Sequence, residues 1–115
     1  MLLINHHNYT GRNNLTAFLS EDDGATWPHR LLLDERDNVS YPDAAQAADG
    51  SIHIVYDRER GSFKATEAEA LADAREVLTA VITEEDILAG TLVSPQSKLK
   101  QIASKLTVYD GPALF

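Results

Sequence analysis

The apolar and polar residues of this chain alternate in short segments that are typical of β-strands. In the clearest segment, Ser51 to Tyr56, apolar side chains at positions 52, 54 and 56 alternate with the residues between them. The Asp49-Gly50 pair just before this segment predicts a tight hairpin turn. The predicted strands are Leu2–Ile4, Leu15–Leu19, Arg30–Leu33, Asp43–Ala48, Ser51–Tyr56, Val77–Ile82, Lys98–Ala103 and Leu106–Tyr109.

Two segments depart from this strand pattern. Residues 65–74 are rich in Ala, Glu and Leu, and Thr66 with Glu69 has the form of a capping box, which predicts a short helical insertion near 66–74. Thr83 with Asp86 predicts one further helical turn, which Gly90 would end. The pattern therefore predicts an all-β protein with a short helical insertion.

Composition narrows the possible functions. A chain of 115 residues is long enough for one domain, and its lack of cysteine excludes disulfides and thiolate chemistry. A net charge of −8 argues against binding nucleic acid or an anionic membrane through bulk charge. No apolar run approaches the ~20 residues of a membrane span. We therefore expect no nucleic-acid partner, no membrane partner, no metal and no other cofactor.

An eight-residue motif between two predicted strands carries the most specific signal. Ser20, Asp22, Gly24, Thr26 and Trp27 match the Asp-box pattern S-x-D-x-G-x-T-W at every defined position. The polar side chains can bond local backbone groups, the glycine permits a tight turn, and the tryptophan can anchor the turn on the sheet. The rival interpretation, a calcium loop, lacks sufficient oxygen ligands after the turn.

The motif and its flanking strands resemble the Asp-box, or BNR-repeat, family of sialidase-like proteins. The resemblance implies a partial β-propeller of about two four-stranded antiparallel blades, here the C-terminal portion of a propeller. Residues 1–37 would form an incomplete blade with the Asp box, and residues 38–110 a second blade, all within one domain spanning 1–115. In this family the box is structural, so Asp22 and Asp23 are not expected to act as catalytic acids.

The resemblance also implies candidate site residues. The segment that starts at Arg12 is similar to the sialidase strand bearing an arginine that binds the substrate carboxylate. The segment Ser40–Asp43 is similar to the one bearing the nucleophilic tyrosine, which assigns Tyr41 as nucleophile. Pro42 and Asp57 stand where this family usually has serine and glutamate, which suggests a divergent branch acting on a sialic- or uronic-type sugar.

Further candidate residues lie near Arg12 and Tyr41 in the sequence. Asp43 and His7 are assigned to substrate binding. His6 and His7 are adjacent, so on a strand they face opposite sides and cannot form a two-histidine metal face. One of them near Arg12 and Tyr41 could serve as an acid or base, as in propeller lyases.

These expectations lead to three functional hypotheses. The first is a fragment of a sialidase-like hydrolase of anionic sugars, inactive alone because the family's other catalytic groups lie in other blades. The alternatives are a propeller lyase of uronic-acid glycosides and a noncatalytic carbohydrate-binding or assembly module. We expect a carbohydrate ligand, self-association or missing blades (three copies could close a six-bladed ring), and a bacterial parent that is secreted or periplasmic.

Overall fold

The computed structural model describes residues 1–8, 11–58 and 75–106 as two antiparallel β-sheets and one short helix. The mainly β architecture predicted from the sequence is confirmed, and the arrangement of the sheets as propeller blades stays a prediction. The elements are β1 (Leu2–His6), β2 (Leu15–Leu19), β3 (His29–Asp34), β4 (Val39–Gln46), β5 (Ile52–Arg58), β6 (Arg75–Ile82), α1 (Glu84–Ala89) and β7 (Lys98–Leu106).

Both sheets are simple meanders in which each strand pairs with the next along the chain. The first sheet has the order β1-β2-β3 and the second has β4-β5-β6-β7. The change of sheet falls between Asp34 and Val39, next to the predicted division at residues 37 and 38. Over the described residues, the two sheets do not close on each other into a barrel or ring.

Because successive strands are antiparallel, alternate connections lie at opposite ends of the molecule. The β1–β2 and β3–β4 connections meet at what we call the Arg12 end, where the Val39 amide donates to the Arg12 carbonyl at 3.1 Å. The β2–β3 and β4–β5 connections lie at the Asp-box end, where Leu19 and Gln46 line one concavity. This division separates the Asp box from Arg12.

One apolar core lies between the sheets and is built from alternate strand residues. Helix α1 follows the second sheet but packs on β2 and β3 of the first, so that Ile87 completes this core. The helix therefore fastens the sheets together. The buried apolar residues are Leu15, Ala17, Leu19, Leu31, Leu33, Val39, Ile52, Ile54, Tyr56, Leu78, Ala80, Ile82 and Ile87.

Helix α1 begins and ends where the sequence predicts. Thr83 accepts from the Asp86 amide, and the Asp86 carboxylate accepts from the Thr83 amide at 2.9 Å, which completes a capping box. Gly90 ends the helix in the left-handed conformation, with φ of 74°. The predicted helical turn is confirmed.

Several predicted strand boundaries differ from the structure, and two predictions extend beyond the described residues. β1 extends beyond Ile4 to His6, and β4 starts at Val39 rather than Asp43. The predicted break after Ala103 is wrong, because β7 continues to Leu106. The helix predicted near 66–74 and the end of the strand predicted to Tyr109 fall outside the described residues.

Candidate functional site

The Asp box forms a closed hydrogen-bonded turn between β2 and β3. The Asp22 carboxylate accepts from the Ser20 hydroxyl at 2.7 Å, from the Thr26 amide at 2.8 Å and from the Thr26 hydroxyl at 2.5 Å. The hydrogen bonds from Thr26, followed by that from Ser20, lower the pKa of Asp22 to about 2. This carboxylate is therefore ionised and engaged within its own turn.

Gly24 and Ser20 hold this turn against Met1 at the start of the chain. The Gly24 amide donates to the Ser20 hydroxyl at 2.8 Å, and Gly24 has φ of 89°, a conformation that side chains disfavour. A Cβ atom at Gly24 would lie 3.0 Å from the Met1 sulfur and 3.5 Å from the Trp27 ring. The Met1 amine also donates to the Ser20 carbonyl at 2.9 Å. These contacts give the box a structural role at the end of the molecule away from Arg12.

Arg12 and Tyr41 are brought together at the other end. The guanidinium carbon of Arg12 lies 5.4 Å from the centroid of the Tyr41 ring, within the range of a cation–π contact. Both side chains are exposed, and Tyr41 is 61% exposed although it belongs to a strand. The two residues come from different sheets, so the pair exists only when both sheets are assembled.

A β-bulge in β4 presents Tyr41 to solvent. Ser40 pairs with Asp57 and Asp43 pairs with Val55, so two residues of β4 stand opposite one residue of β5. The first of these, Tyr41, has φ of 54°, which is unusual for a bulky residue. A bulge bends its strand and turns a side chain away from the regular alternation. Such an outlier supports a hypothesis of function at Tyr41.

Backbone and side-chain hydrogen bonds hold the Arg12 loop against the start of β4. The Val39 amide donates to the Arg12 carbonyl at 3.1 Å, and the His6 Nε2 atom lies 2.5 Å from the Val39 carbonyl oxygen. A carbonyl can only accept, so His6 carries its proton on Nε2. Asn13 donates to Asp37 at 3.1 Å across the same gap. These bonds fix the loop beside the bulge.

The other two predicted binding residues have different surroundings. The His7 ring lies 5.5 Å from the Phe18 ring, and its Nε2 atom is 3.4 Å from the Arg30 guanidinium. The Asp43 carboxylate is exposed and accepts from the amide of the next residue, Ala44, at 2.9 Å. Their roles in substrate binding stay predictions.

The hydrogen bonds beside the bulge were not predicted from the sequence, although Pro42 and Asp57 were noted there as departures from the family pattern. The buried Ser40 hydroxyl donates to the Asp57 carboxylate at 2.9 Å, directly beside Tyr41. Next to Asp57, Arg58 donates to the buried carboxylate of Glu76 at 2.6 Å. Pro42 is the sequence feature that could have predicted the bulge. Proline has no N–H to donate to a strand ladder, so within sheets it is confined to edge strands and bulges.

In residues 1–8, 11–58 and 75–106, no three histidine or acidic side chains gather closely enough to hold a metal ion. Within those same ranges, no helix has the length and apolar character needed to cross a bilayer.

Comparison with known families agrees with the motif. A scan against protein-family models matched residues 1–54 to the BNR repeat-like domain. Searches of curated proteins and of solved structures found no match. The matched segment contains the Asp box, Arg12 and Tyr41. Residues 1–54 of this chain, somewhat less than half of it, are therefore similar to the BNR repeat-like domain.

Proposed function

We propose that this chain contributes a carboxylate-binding arginine, Arg12, and a nucleophilic tyrosine, Tyr41, to a sialidase-like glycoside hydrolase of anionic sugars. The observation that carries the proposal is the pairing of these side chains, with 5.4 Å between the guanidinium carbon and the ring centroid. The bulge at Tyr41 and the BNR repeat-like match over residues 1–54 support it.

Arg12 has the chemistry to bind the carboxylate of an acidic sugar. A guanidinium donates two parallel hydrogen bonds to a carboxylate, and such charge-assisted bonds are about twice as strong as neutral ones. The contact with the Tyr41 ring leaves Arg12 its full positive charge. A carboxylate bound by Arg12 would bring the adjacent anomeric carbon toward the tyrosine.

Tyr41 has the chemistry of a nucleophile for such a sugar. A neutral phenol can approach an anomeric carbon beside a carboxylate without the repulsion that an aspartate would experience. In the proposed step the phenolic oxygen bonds to the anomeric carbon while the glycosidic oxygen leaves with a proton from an acid. The phenolic proton passes to a base, and water then cleaves the glycosyl–tyrosine bond. The proposal assigns the acid and base to groups other than Arg12 and Tyr41.

The proposal is tested by measuring the affinity for N-acetylneuraminate by calorimetry. Removing the charge in Arg12→Gln should weaken binding by about tenfold or more, the value of one charge-assisted interaction. Lys100→Gln is the matched control, because it removes the same charge from an exposed side chain that bonds Glu35 instead. Equal affinities for the wild type and Arg12→Gln would contradict the assignment of Arg12.

The same samples distinguish the alternative functions. Release of an aryl alcohol from an aryl sialoside, lost in Tyr41→Phe, would support hydrolysis. Binding without turnover is expected both for a hydrolase fragment that is inactive alone and for a carbohydrate-binding module, so only turnover distinguishes hydrolysis from binding. His6 is the specific feature that favours a lyase, because its bond to Val39 holds an imidazole two residues from Tyr41 along β4. An unsaturated product absorbing in the near ultraviolet, formed from a polyuronate and lost in His6→Ala, would support that second candidate.

A further inference from the structure

A groove lined mainly by residues with polar side chains lies at the Asp-box end, away from Arg12 and Tyr41. It has a volume of about 780 Å³ and runs between the β4–β5 turn and the connection from α1 to β7. Its floor is a row of three residues on neighbouring strands, since His53 pairs with Val81 and Val81 pairs with Lys98. Directly paired residues face the same side of a sheet, so His53 and Lys98 flank Val81 on one face.

A chain of hydrogen bonds orients the imidazole in this groove. The Ser51 hydroxyl lies 2.6 Å from the Asp49 carboxylate and 3.0 Å from His53 Nε2. The carboxylate can only accept, so the Ser51 proton points to Asp49 and the Ser51 oxygen accepts from His53 Nε2–H. This direction prevents His53 from activating Ser51 as a nucleophile, and it leaves His53 Nδ1 for another partner.

The wall facing this turn is polar as well. Ser94 and Gln96 line the groove on the side of the α1–β7 connection. The Ser94 hydroxyl lies 2.7 Å from the Thr83 hydroxyl, which keeps it in place at the rim. A ligand in the groove would therefore meet a cation at Lys98, an anion at Asp49, and neutral donors and acceptors between them.

Lys98 is notable in an acidic chain of net charge −8. Lys100, two residues along β7, bonds both carboxylate oxygens of Glu35 at 3.0 Å. Within the described ranges 1–8, 11–58 and 75–106, Lys98 makes no such ion pair. An exposed cation of this kind can bind a negatively charged ligand without first breaking an internal salt bridge.

We propose that this groove is a second binding site for an acidic sugar, with Lys98 binding its carboxylate and with His53 Nδ1 and Asp49 accepting from its hydroxyls. A simple anion satisfies Lys98 but is repelled by Asp49, and a neutral sugar satisfies Asp49 but leaves Lys98 without a counterion. A saccharide that carries both a carboxylate and hydroxyl donors complements both ends of the groove. The assignment does not rest on the function proposed for Arg12 and Tyr41, since it uses residues at the opposite end.

The test is a titration of the ¹⁵N-labelled full chain with sodium glucuronate, followed residue by residue by NMR. Glucose is the neutral control and inorganic phosphate is the simple-anion control. We expect glucuronate to shift the amides of Ser51, His53, Val81 and Lys98, and we expect glucose and phosphate to bind there at least tenfold more weakly. The Lys98→Gln variant should lose this set of shifts, and Lys100→Gln should keep it. Chemical-shift changes near Arg12 report binding at the other site and should persist in the Lys98→Gln variant.

Three results would overturn the proposal. One is the absence of shifts in the groove at high glucuronate. Another is equal binding of phosphate or glucose, which would show that the groove does not select an acidic sugar. The third is a set of shifts that follows protein concentration rather than glucuronate, with a doubled mass by light scattering, because a second copy would then cover this face.

Discussion

The Tyr56 hydroxyl donates a buried hydrogen bond of 2.7 Å to the Asp34 carboxylate, and this bond joins the two sheets. Asp34 ends β3 in the first sheet, and Tyr56 lies in β5 of the second. Arg36 completes the cluster with two further bonds to Asp34, at 2.9 and 2.7 Å. Burial raises the pKa of Asp34, but the bonds from Arg36 and Tyr56 outweigh this effect and hold it below the ordinary value. This junction, together with the shared core and helix α1, holds the sheets in the arrangement that brings Arg12 and Tyr41 together.

The first prediction concerns this junction. Tyr56→Phe removes a buried donor to a charged acceptor and should lower the free energy of unfolding by about 2 kcal/mol. Urea denaturation measures the change. Tyr41→Phe makes the same substitution at an exposed site and should change stability by less than ~0.5 kcal/mol. Equal effects at the two positions would show that the Tyr56–Asp34 bond does not join the sheets.

The second prediction concerns pH and two carboxylates that stabilise connections at the Asp-box side. In Asp86, burial raises the pKa, but the bonds from the Ser97 hydroxyl and the amides of Val93 and Ser94 lower it to about 2. Asp22 has a pKa of about 2 through its bonds in the Asp box. Both values lie below the ordinary 3.8.

A carboxyl whose pKa is lower in the folded state stabilises the fold while it is ionised. The stabilisation from Asp22 and Asp86 should therefore be complete above about pH 5 and should be lost as the pH falls from about 4 to 2. Thermal unfolding followed by circular dichroism across this range measures the loss. Asp86→Asn and Asp22→Asn should each show a smaller decrease in melting temperature toward low pH than the wild type. Parallel curves for all three proteins would contradict the assignment.

The third prediction concerns the turn of the Asp box. Gly24→Ala places a Cβ 3.0 Å from the Met1 sulfur on a backbone with φ of 89°, and should destabilise the protein by about 1–2 kcal/mol. Gly11→Ala is the matched control, because among the described residues its Cβ would meet only the Asn13 side-chain amide, at 3.6 Å. Denaturant unfolding compares the two. A smaller effect at Gly24 than at Gly11 would count against the proposed turn strain.

The fourth prediction tests whether the conformation of Tyr41 is strained. Asparagine tolerates the left-handed conformation better than an aromatic residue, so Tyr41→Asn should be more stable than Tyr41→Phe by about 1 kcal/mol. Both variants lack the hydroxyl, but only Tyr41→Phe keeps the ring that contacts Arg12, so the relief of strain in Tyr41→Asn must exceed the loss of that contact. If the protein retains Tyr41 for function, the more stable Tyr41→Asn should also lose affinity for N-acetylneuraminate. Identical stabilities of Tyr41→Asn and Tyr41→Phe would contradict the inference that the backbone at Tyr41 is strained.

Local patterns predicted much of this structure. Period-two alternation located the strand at Ile52, Ile54 and Tyr56, and the Asp-box motif located the turn at Asp22, because both depend on short-range geometry. The bulge at Tyr41 was missed because it depends on how β4 registers against β5, which periodicity in one strand does not record. The junction between Asp34 and Tyr56 spans 22 residues and two sheets, so it too could be recognised only in the folded chain.

The packing role of helix α1 also could not be predicted from the sequence. Thr83 and Gly90 predicted where it begins and ends, because caps are local. That Ile87 completes the core on the first sheet depends on long-range packing. For the same reason, sequence alone predicted Arg12 and Tyr41 only through resemblance, and their meeting became visible in the structure.

The most direct test of the account is a residue-resolved NMR titration of the ¹⁵N-labelled chain with N-acetylneuraminate. We predict the largest shifts at the Arg12 side-chain Nε–H and at the amides of Ser40, Tyr41 and Asp43, with no comparable shifts from a neutral sugar. We predict that Arg12→Gln abolishes the shifts of these three amides. Shifts that are absent at this end of the molecule, or that remain unchanged in Arg12→Gln, would contradict the claim that Arg12 and Tyr41 form a site for an anionic sugar.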